Sequence, residues 1–251
     1  MTKTTNSSLR TGPDLMARIA LVTGAGRGIG RAIAIALASC GADVALGART
    51  PSELEQTASE ITALGRRAVV VPTDVTDPAE CVRLIDTAVS ALGPPDILVN
   101  NAGAARFKPV WDYADDELDF HYAVNFRSMA LCSREALAHM LPRRRGTIVN
   151  IASSSGKKPY RHQGPYCAMK AAVISLSKVM ALELREHGIR VHVICPGAVD
   201  TAMADAVHPE RDRTGWMQPR DIAQVVLDLL ALPDHLTVDE VVMRRYLAEP
   251  M

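Results

Sequence analysis

LVTGAGRGIGRAIA (residues 21–34) leaves an apolar, β-branched stretch, passes through glycines at 24, 26, 28 and 30, and enters an alanine- and isoleucine-rich helical pattern. Strand, tight turn and helix start, in that order, are the context a diphosphate-binding turn requires. Glycine lets the backbone approach a diphosphate closely. The helix N-terminus beyond it offers unpaired N–H groups and the positive end of the helix dipole. Gly24, Gly26, Arg27, Gly28, Ile29 and Gly30 are therefore candidate phosphate-end residues.

Outward from this turn, short β-branched runs alternate with long helical patterns. Strands are expected at 18–24, 43–48, 68–72, 96–100, 147–152, 190–196 and 239–244, and helices at 28–40, 51–64, 77–91, 115–141, 166–187 and 219–231. Two helix starts are marked by the sequence: TPSE (50–53) places Thr at the N-cap, Pro at the first helical position and Glu two later, and DPAE (77–80) repeats the scheme with Asp. The strands are apolar almost continuously, as in a parallel sheet covered on both faces. Their alternation with helices predicts a single-domain, Rossmann-type α/β fold: a doubly wound parallel β-sheet flanked by helices on both faces. The polar residues 1–16 are expected to be a disordered leader, and 17–251 one dinucleotide-binding catalytic domain.

Composition narrows the function classes. The chain has 251 residues, 48% hydrophobic, with a formal net charge of +0. That suits one domain with a sizeable core and argues against nucleic acid as the main partner, because such surfaces are basic overall. No apolar run approaches the roughly 18–20 residues of a membrane span. The N-terminus lacks the apolar segment of a signal peptide. The five cysteines stand singly, with no CxxC pair, which fits free thiols in a cytoplasmic protein. No metal site is expected, since the seven histidines lack ligand spacing.

GPYCAMKAA (164–172) places Tyr166 and Lys170 four residues apart, on one helix face. Two readings are open: a half-buried tyrosine beside a surface lysine, or a phenol tuned by an ammonium. A free phenol has a pKa near ~10, and a neighbouring cation lowers it by favouring phenolate.

The motifs TGAGRGIG (23–30), DV (74–75), NNAG (100–103), VN (124–125), IVNIAS (148–153), YCAMK (166–170) and PGAVDT (196–201) follow one another in that order. In this the chain resembles the short-chain dehydrogenase/reductase family, over residues 17 to about 232. The resemblance implies an oxidoreductase that interconverts a carbonyl and a secondary alcohol, the nicotinamide giving the hydride and the protein the proton. It implies Tyr166 as general acid/base and Lys170 as its electrostatic partner and a ligand of the nicotinamide ribose. Ser153, thirteen positions before the tyrosine, would bind the substrate oxygen, and Asn125 would hold a water that relays protons to the lysine. Asp74 and Val75 would meet adenine, and Asn101, Ala102 and Gly103 the adenosine ribose. Pro196, Gly197, Val199 and Thr201 would lie at the nicotinamide, the last two at its carboxamide. Asn100 would brace the fourth strand and Ser154 would be structural, with Ser155 within reach of substrate.

GART (47–50) places Ala48 where an NAD enzyme of such a fold carries an acid for the 2′-hydroxyl, and Arg49 follows. A guanidinium binds a 2′-phosphate with forked hydrogen bonds that a carboxylate would repel. Arg27 is expected beside it. NADP(H) is favoured, with NAD(H) the alternative; a non-catalytic dinucleotide sensor of the same fold is a further alternative. The helices at 115–141 and 166–187 are expected to join copies into a homodimer or homotetramer. The C-terminal EVVMRR (240–245) lacks the glycines of a VDGG-like turn and resembles the subgroup with sepiapterin reductases and 3-hydroxy acid dehydrogenases. The basic KKPYRHQ (157–163) flanks the expected pocket, as a solvated loop or as a site for an anionic group.

Overall fold

The computed structural model describes residues 12–207 and 212–249. Residues 1–11 of the expected leader lie outside the described residues. Residues 12–16 depart from the leader boundary: Leu15 is buried in the core and its N–H donates to Cys40 O at 2.9 Å.

Seven strands are present among the described residues: β1 (Ile19–Thr23), β2 (Asp43–Ala48), β3 (Ala68–Pro72), β4 (Ile97–Asn100), β5 (Gly146–Ile151), β6 (Ile189–Pro196) and β7 (Glu240–Met243). The helices are α1 (Gly28–Ser39), α2 (Pro51–Ala63), α3 (Pro78–Leu92), α4 (Asp115–Tyr122), α5 (Ser128–Met140), α6 (Gly164–Leu184), α7 (Ala202–Val207) and α8 (Pro219–Leu230). All seven strands join one parallel sheet in the order β3-β2-β1-β4-β5-β6-β7. The strand alternation divides the core in two. Ala20 and Val22 of β1 face the layer of α1 and α8, and Leu21 faces the layer of α3 and α5. Gly47 is required where β2 passes α3, since a Cβ there would lie 2.7 Å from Leu84 Cδ2.

The order reverses between β1 and β4, and such a switch point opens a crevice at the carboxyl ends of the strands. Its walls are tied by Thr23 and Asn101. Thr23 Oγ1 accepts from Asn101 N and Ala102 N, both at 3.0 Å, and Asn101 Nδ2 donates to Thr23 O at 3.0 Å. Behind them, Asn100 Nδ2 donates to Ser133 Oγ at 2.9 Å and to Asn150 Oδ1 at 2.8 Å, and Asn150 Nδ2 donates to Ser177 Oγ at 2.9 Å. This buried network joins β4, β5, α5 and α6, and accounts for Asn100 as a brace.

The expected strands match to within one residue at each end. Two helices differ. The long helix at 115–141 is interrupted by a π turn over Ala123–Arg127, which separates α4 from α5. The helix expected from 166 begins at Gly164, with Pro165 in its first turn, where its missing N–H costs nothing. Asp77 caps α3 by accepting from Ala79 N at 2.8 Å, whereas the Thr50 side chain makes no capping bond to α2.

Candidate active site

The cleft over the switch point has a volume of about 1280 Å³. At one end lies the turn from β1 into α1. Gly24 and Gly28 take φ of +67° and +56°, the left-handed region that favours glycine. Gly30 is demanded by contact, since a Cβ there would lie 2.2 Å from Gly24 O. No side chain caps α1: the residue before it, Arg27, makes no capping bond, and the first turn holds no acid. The first N–H groups of α1 therefore remain available to an anion. The glycine cradle and this uncapped helix start fit the diphosphate of a dinucleotide.

Helix α2 latches the turn from outside. Thr57 Oγ1 donates to Ala25 O at 3.2 Å, and Arg27 Nη1 lies 3.4 Å from Glu53 Oε1. Arg31 pairs with Glu60. Glu53 lines the cleft beside Ala48 and Arg49. Sequence reasoning read Glu53 only as a helix-start residue, because a pair 26 positions apart has no local signature. Arg49 is exposed and has no ion pair among the described residues.

At the opposite end β5 runs into a short 3₁₀ turn, Ser154–Gly156, and α6 begins after the 157–163 loop. Ser153, in extended backbone, accepts from Ser155 N–H at 3.1 Å, which leaves its own hydroxyl hydrogen to be donated elsewhere. Ser155 Oγ donates to Gln163 Oε1 at 2.9 Å, and so ties the serine turn to the start of α6. Tyr166 packs edge-on against Phe107, with centroids 5.7 Å apart. Burial pushes the Tyr166 phenol up to about 12, with a hydrogen bond to Ser153 pulling the other way. Lys170, 4% exposed, donates from Nζ to Ile151 O at 3.0 Å, and burial pushes it down to about 8. The lowering of the phenol expected from Lys170 is not found in this structure, where desolvation sets the direction because the phenolate would lie in a dry pocket. Gly103 lies close beside the pair: a Cβ there would stand 3.1 Å from Asn125 Oδ1, a tight contact, and 3.5 Å from Lys170 Nζ.

Of the residues singled out from sequence, the cleft brings together Gly24, Gly26, Arg27, Gly28, Ile29, Arg49, Asp74, Val75, Asn101, Ala102, Gly103, Ser153, Tyr166, Lys170, Pro196, Gly197, Val199 and Thr201. Gly30 and Asn125 stand behind its wall. Asn125 holds the Ala104 backbone, accepting from its N–H at 3.1 Å and donating to its carbonyl at 2.9 Å. Asp74 turns one carboxylate oxygen onto Thr76 N and Oγ1, which shapes the adenine-side loop. Beyond these, Tyr113 Oη donates to Arg106 O at 2.6 Å, with His162 O at 3.2 Å, and so joins the two loops at the mouth. Basic residues line that mouth, with Lys158 near Glu249 at 3.2 Å and Lys108 paired with Glu117. Among the described residues no cluster of His, Cys, Asp or Glu could hold a metal ion, and no helix is long and apolar enough to cross a membrane.

The family model for short chain dehydrogenases matches residues 18–212. An uncharacterized oxidoreductase of Staphylococcus aureus strain USA300 is 39% identical over 227 residues, covering 90% of this chain and 96% of that one. A Streptomyces violaceoruber protein assigned to the granaticin polyketide synthase as ketoacyl reductase 1 is 40% identical over 209 residues, covering 82% and 77%. Among solved structures, an alcohol dehydrogenase of the archaeon Thermococcus sibiricus complexed with 5-hydroxy-NADP superposes with a TM-score of 0.86 at 28% identity, covering 93% of this chain and 99% of that one. A metagenomic short-chain oxidoreductase in complex with NADP gives 0.83 at 35% identity, covering 94% and 100%.

Proposed function

The chain belongs to the short-chain dehydrogenase family, and from that premise we propose that it is an NADP(H)-dependent oxidoreductase interconverting a carbonyl and a secondary alcohol, with Tyr166 exchanging the proton. The observation that carries this reading is one cleft with a glycine cradle and uncapped helix start at one end and Ser153 and Tyr166 beside buried Lys170 at the other.

When bound, the nicotinamide cofactor supplies or takes up the hydride. This chain's own groups handle the oxygen. Tyr166 keeps its proton at neutral pH because its burial disfavours phenolate, so in the reducing direction it acts as the acid that delivers a proton to the new alkoxide. The Ser153 hydroxyl donates to the same oxygen and stabilises its developing charge. Lys170 holds its charge below about pH 8, and its ammonium favours loss of the phenolic proton in the oxidising direction. Gly24 to Gly30 and the start of α1 would hold the diphosphate, and Val199 and Thr201 the nicotinamide amide. Asn125 acts from behind the wall through Ala104.

NADP(H) is favoured over NAD(H) by the neutral Ala48 and by the exposed Arg49, which has no ion pair among the described residues. Glu53, held against Arg27, tempers that preference without reversing it. The two structural neighbours bound to NADP or its 5-hydroxy derivative support the same choice. The five free thiols support a cytoplasmic setting. A second copy of the chain would pack on α4–α5 and α6, where Leu182 is 66% exposed; light scattering measures this directly.

The test follows absorbance at the nicotinamide band with NADPH and NADH against a panel of ketones and alcohols. Turnover with NADPH in the parent, lost in Tyr166→Phe, supports the reading. Cofactor binding with no turnover across the panel favours the dinucleotide sensor.

A further inference from the structure

His121 lies in the last turn of α4 with 0% exposure, and the reaction outlined above leaves it without a part. Its ring packs edge-on against Tyr166 at 6.5 Å between centroids, and against Tyr113 at 5.8 Å and Phe120 at 6.0 Å. Four residues later comes Asn125, inside the π turn. A π turn carries its backbone bonds to the fifth residue rather than the fourth, and this one brings the Asn125 side chain back over His121. Asn125 Nδ2 lies 3.3 Å from the His121 carbonyl and 3.4 Å from His121 Nδ1.

The orientation of the Asn125 amide follows from Ala104. The Ala104 N–H must meet an acceptor and the Ala104 carbonyl a donor, so Oδ1 faces the first at 3.1 Å and Nδ2 the second at 2.9 Å. An amide flip would set like against like at both contacts. Nδ2 is therefore the group that faces the imidazole. Of its two hydrogens one goes to Ala104 O and the other lies between the His121 carbonyl and Nδ1; an N–H on Nδ1 would set donor against donor, so Nδ1 is read as the accepting nitrogen and the proton of the neutral ring as sitting on Nε2. Nε2 makes no close hydrogen bond among the described residues, and the Arg106 carbonyl is the acceptor that faces the ring.

We propose that His121 is a positioning residue: its neutral ring, accepting at Nδ1, holds the Asn125 amide and through it the Gly103–Ala104 backbone against which Lys170, the neighbour of Tyr166, is set. This rests on the oxidoreductase reading above, because the geometry it holds is that of the proton-exchanging group.

The inference carries a pH dependence. Protonation puts an N–H on Nδ1, so donor faces donor and the contact to Asn125 is lost. Burial lowers the His121 pKa from 6.5, and the Arg106 guanidinium, set 4.0 Å over the Phe120 ring, lowers it further. The Arg106 carbonyl and Glu117 oppose them, Glu117 being paired with Lys108. Tyr113 and Tyr166, the other titratable groups facing the ring, are both raised above 10 by burial and are uncharged in this range. The folded pKa lies below the unfolded one, so the unfolded chain takes up the proton first. The held geometry is present above about 6.5 and is lost as pH falls through the folded value.

The test compares His121→Asn and His121→Leu with the parent and with Tyr166→Phe in the NADPH assay across pH 5–8. Asn offers an acceptor oxygen close to the place of Nδ1 and does not titrate there. His121→Asn is expected to keep kcat at neutral pH within about threefold and to lose the acid limb of the profile. His121→Leu loses one neutral hydrogen bond, expected to lower kcat by about tenfold with the KM for NADPH unchanged. Nitrogen-15 imidazole spectra of the parent give the tautomer without reference to activity, and Nε2–H is expected at pH 7. A parent-like kcat and acid limb in His121→Leu, an acid limb that persists in His121→Asn, or a proton on Nδ1 at pH 7 would each overturn the proposal. Should His121→Leu not fold, the Asn variant and the spectra decide. An active Tyr166→Phe would break the oxidoreductase reading instead, and the tautomer would still judge the His121–Asn125 contact.

Discussion

At the Gly24–Gly30 end of the cleft, the wall is backbone of one turn of seven consecutive residues, shaped by positive φ and by the room a missing Cβ leaves. At the Tyr166 end it is side chains from separate segments, Ser153 from beyond β5 and Tyr166 and Lys170 from α6, with Asn125 of the π turn behind them. The first end offers unpaired N–H groups to an anion and depends little on protonation. The second consists of buried ionisable groups whose behaviour is set by desolvation, with Tyr166 pushed up to about 12 and Lys170 down to about 8. A dinucleotide would therefore be gripped by geometry at one end and used by electrostatics at the other, and substitutions should separate the two.

The sharpest separation is expected from Ser153→Ala. It should lower kcat by roughly a hundredfold or more, as for loss of one oxyanion donor, with NADPH affinity measured by fluorescence unchanged. Ser154→Ala, one residue on, should be far milder; a reversed ranking would mean that the serine contacting the reacting oxygen is Ser154. At the other end Arg49→Ala should raise the KM for NADPH by about tenfold to a hundredfold, as for a charge-assisted contact of roughly 1.5–3 kcal/mol, and spare NADH and kcat. Equal effects on both cofactors would remove the 2′-phosphate role.

A pH profile tests the electrostatic end alone. Lys170 has a folded pKa below its ordinary value, so its ammonium persists below about 8 and is lost above it. The kcat/KM for carbonyl reduction should hold through neutral pH and then fall by up to about tenfold per unit. A flat profile to pH 10 would detach Lys170 from the reaction. The smallest effect is expected from Glu53→Gln. Releasing Arg27 from an exposed pair worth at most about 1 kcal/mol should improve the KM for NADPH by a few fold and leave NADH alone.

The same division explains what could be read from the chain. The turn, the strand limits and most helix limits are local matters: glycine spacing at 24–30, continuous apolar runs, Asp77 before Pro78. The π turn at 123–127 has no such pattern, because AVNFR continues the helical periodicity on either side. Its occurrence depends on Asn125 reaching Ala104, 21 positions away. The Arg27–Glu53 contact, the tie from Tyr113 to the 157–163 loop and the burial of Leu15 are equally products of folding at a distance. The spacing of Tyr166 and Lys170 told that they share a face, and the resemblance told their roles. Neither told that burial would set the direction of the phenol, since that depends on walls contributed by Phe107 and His121.

The central claim, that proton exchange at Tyr166 is separable from dinucleotide binding, is tested most directly by measuring NADPH affinity and kcat on one preparation of Tyr166→Phe. The phenylalanine keeps the ring and its packing on Phe107 and removes only the hydroxyl. The expected result is an NADPH Kd within about twofold of the parent and a kcat lowered by 10²–10⁴-fold, the usual contribution of a positioned proton donor. A variant that retains more than about a tenth of the parent kcat would contradict the claim.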